Sequence, residues 1–333
     1  MSTLPSTIEA LLKPESYLHK PQKVELVQTQ MSFIFLTGEY VYKIKKPVNL
    51  GYLDYTTLEK RHFFCQQELQ LNRRLCPDVY LAVVPIAEEK GKIRIEGRGR
   101  PIEYTVKMKQ LPQEHMMDVL LLQGKVTKEM VTGVVEKLAS FHHRAETNER
   151  ISSFGQLDVI RHNCDENFAQ TEKYIGLSIP KASYQRIKGY TDDFIKNNAC
   201  LFDKRVEKGK IKDCHGDLHA AHICFAKDIY IYDCIEFNDR FRYCDVASEL
   251  AFLAMDLDHH GQAVLSRHLV STYVKVTGDE GLLKLLDFYK CYRAYVRGKV
   301  ESFKLDDPLI SQTEKAKALA SARGYFQLAE SYV

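Results

Sequence analysis

The chain has 333 residues, 45% of them hydrophobic and 27% charged, with a formal net charge of +3. That length can bury a large core in one big domain or two smaller ones, and the composition is that of an ordinary globular protein. So mild a charge gives no bulk electrostatic reason for nucleic-acid binding, and no apolar run approaches the ~18 residues of a membrane span, so neither partner is expected. The start, "MSTLPSTIEALLKPES", lacks the basic-then-apolar order of a signal peptide, which favours the cytoplasm.

Taken in chain order, "SFIFL" (32–36), the turn "TGE" and "YVYKIKK" (40–46) predict a hairpin with Gly38 in its turn. Val41, Lys43 and Lys45 then share one strand face. Thr56 and Glu59 make a T-x-x-E capping pattern that opens a helix through "LEKRHFFCQQELQLNRRLC", ended by Pro77. Three further strands are expected at "VYLAVVPIA" (79–87), "KIRIEG" (92–97) and "IEYTVKMKQL" (102–111), where Pro112 stops the last. From Met116 the pattern turns helical, and Thr127 caps a helix whose apolar positions are Met130, Val134, Leu138 and Phe141. Two short strands, "HICF" and "IYIYD", interrupt this region around the turn "AKD". Helices resume after Asp245, through "VASELAFLAMDL", "AVLSRHLVSTYVKV", "GLLKLLDFYKCYRAYVRGKV" and "EKAKALASARGYFQLAESY". The reading is an α+β protein of two lobes, sheet-rich over 1–110 and mainly helical over 111–333, with a cleft between them.

Nine cysteines are present without a C-x-x-C pair, so reduced thiols packed as small apolar groups are expected rather than a zinc knuckle or a disulfide framework. The densest chemistry lies in "KDCHGDLHAAHICF" (212–225), with His215, Asp217, His219 and His222 inside eight positions. Phosphoryl transfer to a hydroxyl needs a carboxylate to take the proton, a lysine for the nucleotide phosphates and acidic or amide ligands for a metal. Kinase loops with that base read H-R-D-L-x-x-x-N, and a second aspartate follows a short hairpin. His215, Asp217, Leu218 and His222 fall on those places, and Asp233 ends the strand after the hairpin.

The ordered set "HGDLH", a hairpin, "IYD" and "DVASELA" resembles the aminoglycoside phosphotransferase and choline kinase superfamily. "VYKIKKPV", "DCIEFND" and "YRAYVRGKV" resemble a bacterial branch of it, some of whose members carry a further P-loop domain. No G-x-x-x-x-G-K-[ST] occurs here, so that domain is not expected in this chain. The resemblance implies a protein-kinase-like fold and an ATP-dependent phosphotransferase using Mg2+ or Mn2+, with GTP an alternative nucleotide. It makes Asp217 the base, Asp233 the main metal ligand, and His215 and Asp245 supports of the catalytic loop. Lys43 would bind phosphate, paired with Glu68; Lys45, on the same face, is the alternative. Met108, Lys109, Gln110 and Leu111 would receive adenine through their backbone. No G-x-G-x-x-G precedes the lysine, so Thr29, Gln30 and Ser32 are left to cover the phosphates.

His222 stands where an asparagine is usual, and an imidazole nitrogen suits manganese better than magnesium. Glu236, three residues after Asp233, is therefore expected to supply the missing oxygen, with His222 donating a hydrogen bond or joining only a softer metal. That substitution also leaves open a nucleotide-binding pseudokinase. "GDLHA" is similar to a metallophosphoesterase opening, but the further ligand blocks of that family are missing. Lys290, Arg293 and Arg297 share a helix face and suggest a neutral or anionic small-molecule acceptor rather than a polycationic aminoglycoside; the ordinary alternative pairs them with Glu249 and Asp256.

Overall fold

Alternation along the third strand organises the first part of the molecule. In the computed structural model, which describes residues 4–308 and 310–333, Tyr42 and Ile44 enter a core with Phe33, Phe35, Ile86 and Ile95. The intervening Lys43 and Lys45 therefore project from the opposite face of the sheet.

That sheet has six antiparallel strands, β1 (Glu25–Gln28), β2 (Ser32–Leu36), β3 (Tyr40–Lys45), β4 (Tyr80–Glu89), β5 (Lys92–Ile95) and β6 (Pro101–Lys109), in the order β1-β2-β3-β6-β4-β5. The β2–β3 hairpin turns at Gly38, whose φ of 87° is reached without the strain a side chain would bring. Helix Leu58–Asn72 packs on β4 and β6. Its cap is Thr57, whose hydroxyl accepts from the Lys60 N–H; Thr56 instead bonds back to Asp54. The capping position thus lies one residue beyond the expected one, because the neighbouring aspartate takes the first threonine. The helix also stops at Asn72, before Pro77.

Two units are resolved, one formed by the chain up to Met116 together with His222–Asp239, the other by Met117–Ala221 and Arg240–Val333. The segment His222–Asp239 carries the short hairpin Ile223–Phe225 and Ile229–Ile231. The second unit is helical apart from the paired strands Ile211–Asp213 and Tyr243–Asp245. At its centre runs helix Val246–His259, buried from Val246 to Leu257 and packed against helices Ala263–Thr277 and Leu286–Phe303. Helix Leu286–Phe303 packs in turn on Gln312–Ser331; at Gly298 the Phe326 ring comes so close that a Cβ would meet it at 2.9 Å. All nine cysteines are free thiols, seven of them buried. Among the described residues, no helix is long and apolar enough to cross a membrane.

Candidate active site

In the first unit the two lysines of β3 meet the Glu68 carboxylate, one at each oxygen. Lys43 Nζ lies 2.8 Å from Oε1 and Lys45 Nζ 2.8 Å from Oε2. Their second partners differ. Lys43 also bonds Asp233 Oδ1 at 2.5 Å, whereas Lys45 pairs with Glu236 Oε1. The Tyr55 hydroxyl donates to that same Glu236 oxygen at 2.6 Å. The Lys45 side chain is 1% exposed and the Lys43 side chain 14%, so only Lys43 has a face open to a ligand. Burial works against the Lys43 ammonium, but Asp233 and then Glu68 outweigh it and raise its pKa. For Glu68 the same burial is overcome by Lys43 and Lys45, and its pKa is lowered.

Asp233 is the most open member of this cluster, its side chain 39% exposed. Its backbone has φ of 64°, an uncommon conformation for a residue with a side chain, and its N–H donates to the Tyr80 hydroxyl at 3.3 Å. The adjacent Cys234 N–H donates to Asn72 Oδ1, and the Asn72 amide donates to the Glu68 carbonyl, so the turn after the hairpin is tied to the Glu68 helix. His222 Nε2 lies 3.6 Å from Asp233 Oδ2. Glu236 was expected as a metal ligand beside Asp233; its ion pair with Lys45 and its bond from Tyr55 set it against that role.

The segment Met108 to Leu111, expected to receive adenine, is partly committed to the sheet. The Lys109 N–H donates to Val79 O and the Gln110 N–H to Glu39 O, while Met108 pairs with Val41. Gln110 Oε1 accepts from the Gly38 N–H. The Leu111 N–H has no partner among the described residues. Thr29 spends its hydroxyl inside the β1–β2 turn, accepting from the N–H groups of Met31 and Ser32.

In the second unit the loop around Asp217 is held through its main chain. The N–H groups of His215 and Gly216 donate to Glu249 Oε2 at 2.8 and 2.7 Å, and the Ala220 N–H to Asp256 Oδ2 at 2.8 Å. His142 Nε2 meets Glu249 Oε1 at 3.0 Å and His142 Nδ1 meets the Tyr273 hydroxyl at 2.7 Å. Burial would raise the Glu249 pKa, but His142, His215 and the Gly216 N–H bring it down to about 2. The Asp217 N–H donates to His215 Nδ1 at 3.3 Å, and Asp217 Oδ2 lies 3.7 Å from His219 Nε2.

Asp245 was expected to support the same loop. Its carboxylate receives a two-pronged bond from Arg205, at 2.8 and 2.7 Å, and caps helix Val246–His259 through the Ala247 N–H. Glu249 and Asp256 do the bracing, and nothing local in "VASELAFLAMDL" distinguishes them from polar positions on an apolar helix. The basic stripe also divides. Lys290 is paired with Asp258 at 2.5 Å, and Arg293 donates to Gly216 O at 3.2 Å and to Ser248. Neither is paired with Glu249 or Asp256.

Solved structures share this fold. The chain aligns over 98% of its length with 98% of a choline/ethanolamine kinase family protein from Mesorhizobium loti, at TM-score 0.54 and 11% identity. It aligns over 96% of its length with 91% of the amicoumacin kinase hAmiN, solved with AMP-PNP, Ca2+ and Ami, at TM-score 0.52 and 12% identity. The chain therefore shares the bilobal α+β fold of these kinases. Among curated proteins, the uncharacterized proteins Rv2004c of Mycobacterium tuberculosis (strain H37Rv) and Mb2027c of Mycobacterium bovis are each 31% identical over 279 residues, 84% of this chain and 54% of theirs. The chain thus spans about half the length of the curated relatives it matches. No family model matches it.

Proposed function

We propose that the chain transfers the γ-phosphoryl group of ATP to a hydroxyl of a small molecule. The observation that carries this reading is the Lys43 ammonium held between Glu68 and Asp233, one carboxylate buried and the other open. A lysine fixed in this way is pre-aimed at nucleotide phosphates, and the ion pairs hold its charge without filling its exposed side. Asp217, with a side chain 32% exposed, takes the acceptor's proton, and the Glu249 and Asp256 bonds keep its loop in place as it does so. The unpartnered Leu111 N–H is the donor available to adenine. The solved amicoumacin kinase carrying AMP-PNP supports the choice of an adenine nucleotide.

Asp233 offers hard carboxylate oxygens, which fit magnesium or manganese, and His222 adds a softer nitrogen nearby. Such a metal would neutralise charge on the transferred phosphoryl group. Glu236 serves instead as a positioning residue that holds Lys45.

The pseudokinase reading keeps one supporting observation, the imidazole of His222 in place of an amide. Purified protein, ATP or GTP, magnesium or manganese and a panel of small hydroxyl compounds separate the two. Phosphorylated product is expected from the wild type, with a loss of about 10²- to 10⁴-fold in Asp217→Asn. Tight nucleotide binding without product from either protein, across the panel, would favour the pseudokinase.

A further inference from the structure

Three cations on helix Leu286–Phe303 have unequal fates. Lys290 is neutralised by Asp258, and Arg293 is spent on Ser248 and the Gly216 carbonyl. Arg297 is not tied to a carboxylate in this way, though the Tyr325 side chain hydrogen-bonds it. Its one carboxylate contact is Nη2 to Glu301 Oε1 at 3.9 Å, and both Glu301 oxygens are already taken by Lys304 at 2.8 and 2.9 Å. Its buried Nε has no hydrogen-bond partner among the described residues. The guanidinium lies over the Tyr325 ring, 5.5 Å from its centre, and the side chain remains 23% exposed. Asp217 and Asp256 lie within electrostatic reach of it.

The surrounding acids do not turn this into a cation site. Asp256 is engaged by the Ala220 N–H, Asp258 by Lys290 and the Tyr332 hydroxyl, and Glu301 by Lys304. Among the described residues, Arg297 has no carboxylate ion pair closer than the 3.9 Å to Glu301, and an arginine fork presents paired donors that match carboxylate or phosphate.

We propose that Arg297 recognises the acceptor, and that the acceptor is a hydroxyl compound bearing a carboxylate or phosphate a few bonds from the hydroxyl offered to Asp217. This rests on the phosphotransferase reading above. The Tyr325 ring orients the guanidinium, and its exposed side donates to the anion.

The test uses four small hydroxyl compounds: glycerol, glycerate, glycerol 3-phosphate and choline. Binding to the full chain is measured by calorimetry with and without AMP-PNP, and turnover is measured with ATP. Glycerate or glycerol 3-phosphate should bind about 10- to 100-fold more tightly than glycerol or choline, and which of the two wins tells carboxylate from phosphate. Arg297→Ala should erase that preference, raising KM for the anionic acceptor far more than it lowers kcat, and Arg297→Lys should restore part of it. Thermal melting of both variants separates lost recognition from lost folding, and Arg297→Gln replaces Arg297→Ala if the latter fails to fold. Equal binding of all four compounds, or a preference for choline that Arg297→Ala leaves intact, overturns the proposal even where ATP binds and turns over. If AMP-PNP does not bind yet the anion preference holds and depends on Arg297, the phosphotransferase reading falls and the anion site stands.

Discussion

Around Lys43, two lysines are balanced against the three carboxylates of Glu68, Asp233 and Glu236; around Asp217, Glu249 and Asp256 are balanced largely by main-chain N–H groups. The first arrangement depends on which side chains stand at each position. Exchange of either lysine leaves a carboxylate without its cation. The second depends mainly on where the backbone runs, since almost any residue carries the N–H that Glu249 receives. Charge pairing therefore sets up the nucleotide side of the proposed reaction, and backbone capture sets up the base.

Removing the captor should have the largest effect. Glu249→Ala strips the partner from two buried N–H groups and from His142, and is expected to lower the unfolding free energy by about 4 kcal/mol in denaturant titration. The folded Glu249 pKa, about 2, lies below its ordinary 4.5. Its contribution is thus fully present above pH 4.5 and is lost as the pH falls through about 2. The variant should therefore show a shallower acid limb between those values, and an unchanged limb would show that the loop is not held in this way.

The lysines should then separate. Lys45→Met leaves Glu236 and half of Glu68 buried without a cation, and should cost about 3 kcal/mol. Lys43→Met leaves Glu68 to Lys45 and uncovers the more exposed Asp233, and should cost about 1 kcal/mol. Turnover should reverse the order, with Lys43→Met the more damaging at equal folded fraction. Equal stability losses would break the division between a buried structural lysine and an open working one. The smallest effect is at the start of the Glu68 helix. Thr57→Ala should cost about 1 kcal/mol and Thr56→Ala about half as much or less. A larger loss in Thr56→Ala would return the cap to Thr56.

Much of this was legible in the sequence where the cause is local. Alternation in "YVYKIKK" placed Lys43 and Lys45 together on one face, and the apolar runs on either side of "AKD" outlined the hairpin leading to Asp233. What escaped was pairing over long distances along the chain. Lys45 and Glu236 are 191 residues apart and Glu249 is 34 from His215, so no window of sequence contains both partners. Spacing alone also made Glu236 look like a companion to Asp233, because chain proximity says nothing about which face a carboxylate turns to. The three- and four-residue spacing of Lys290, Arg293 and Arg297 similarly concealed that only the first two are tied down by short polar contacts.

The grip of Glu249 on the loop has an evolutionary consequence. Because it holds the loop through N–H groups, the letter at position 215 can drift without loosening it, provided proline is avoided, whereas position 216, with φ of 89°, favours glycine. A lineage could therefore rewrite the chemistry of this loop while its anchor, one glutamate on a buried helix, stays the same. Distant descendants would be easier to trace by that glutamate than by the histidines that first draw the eye.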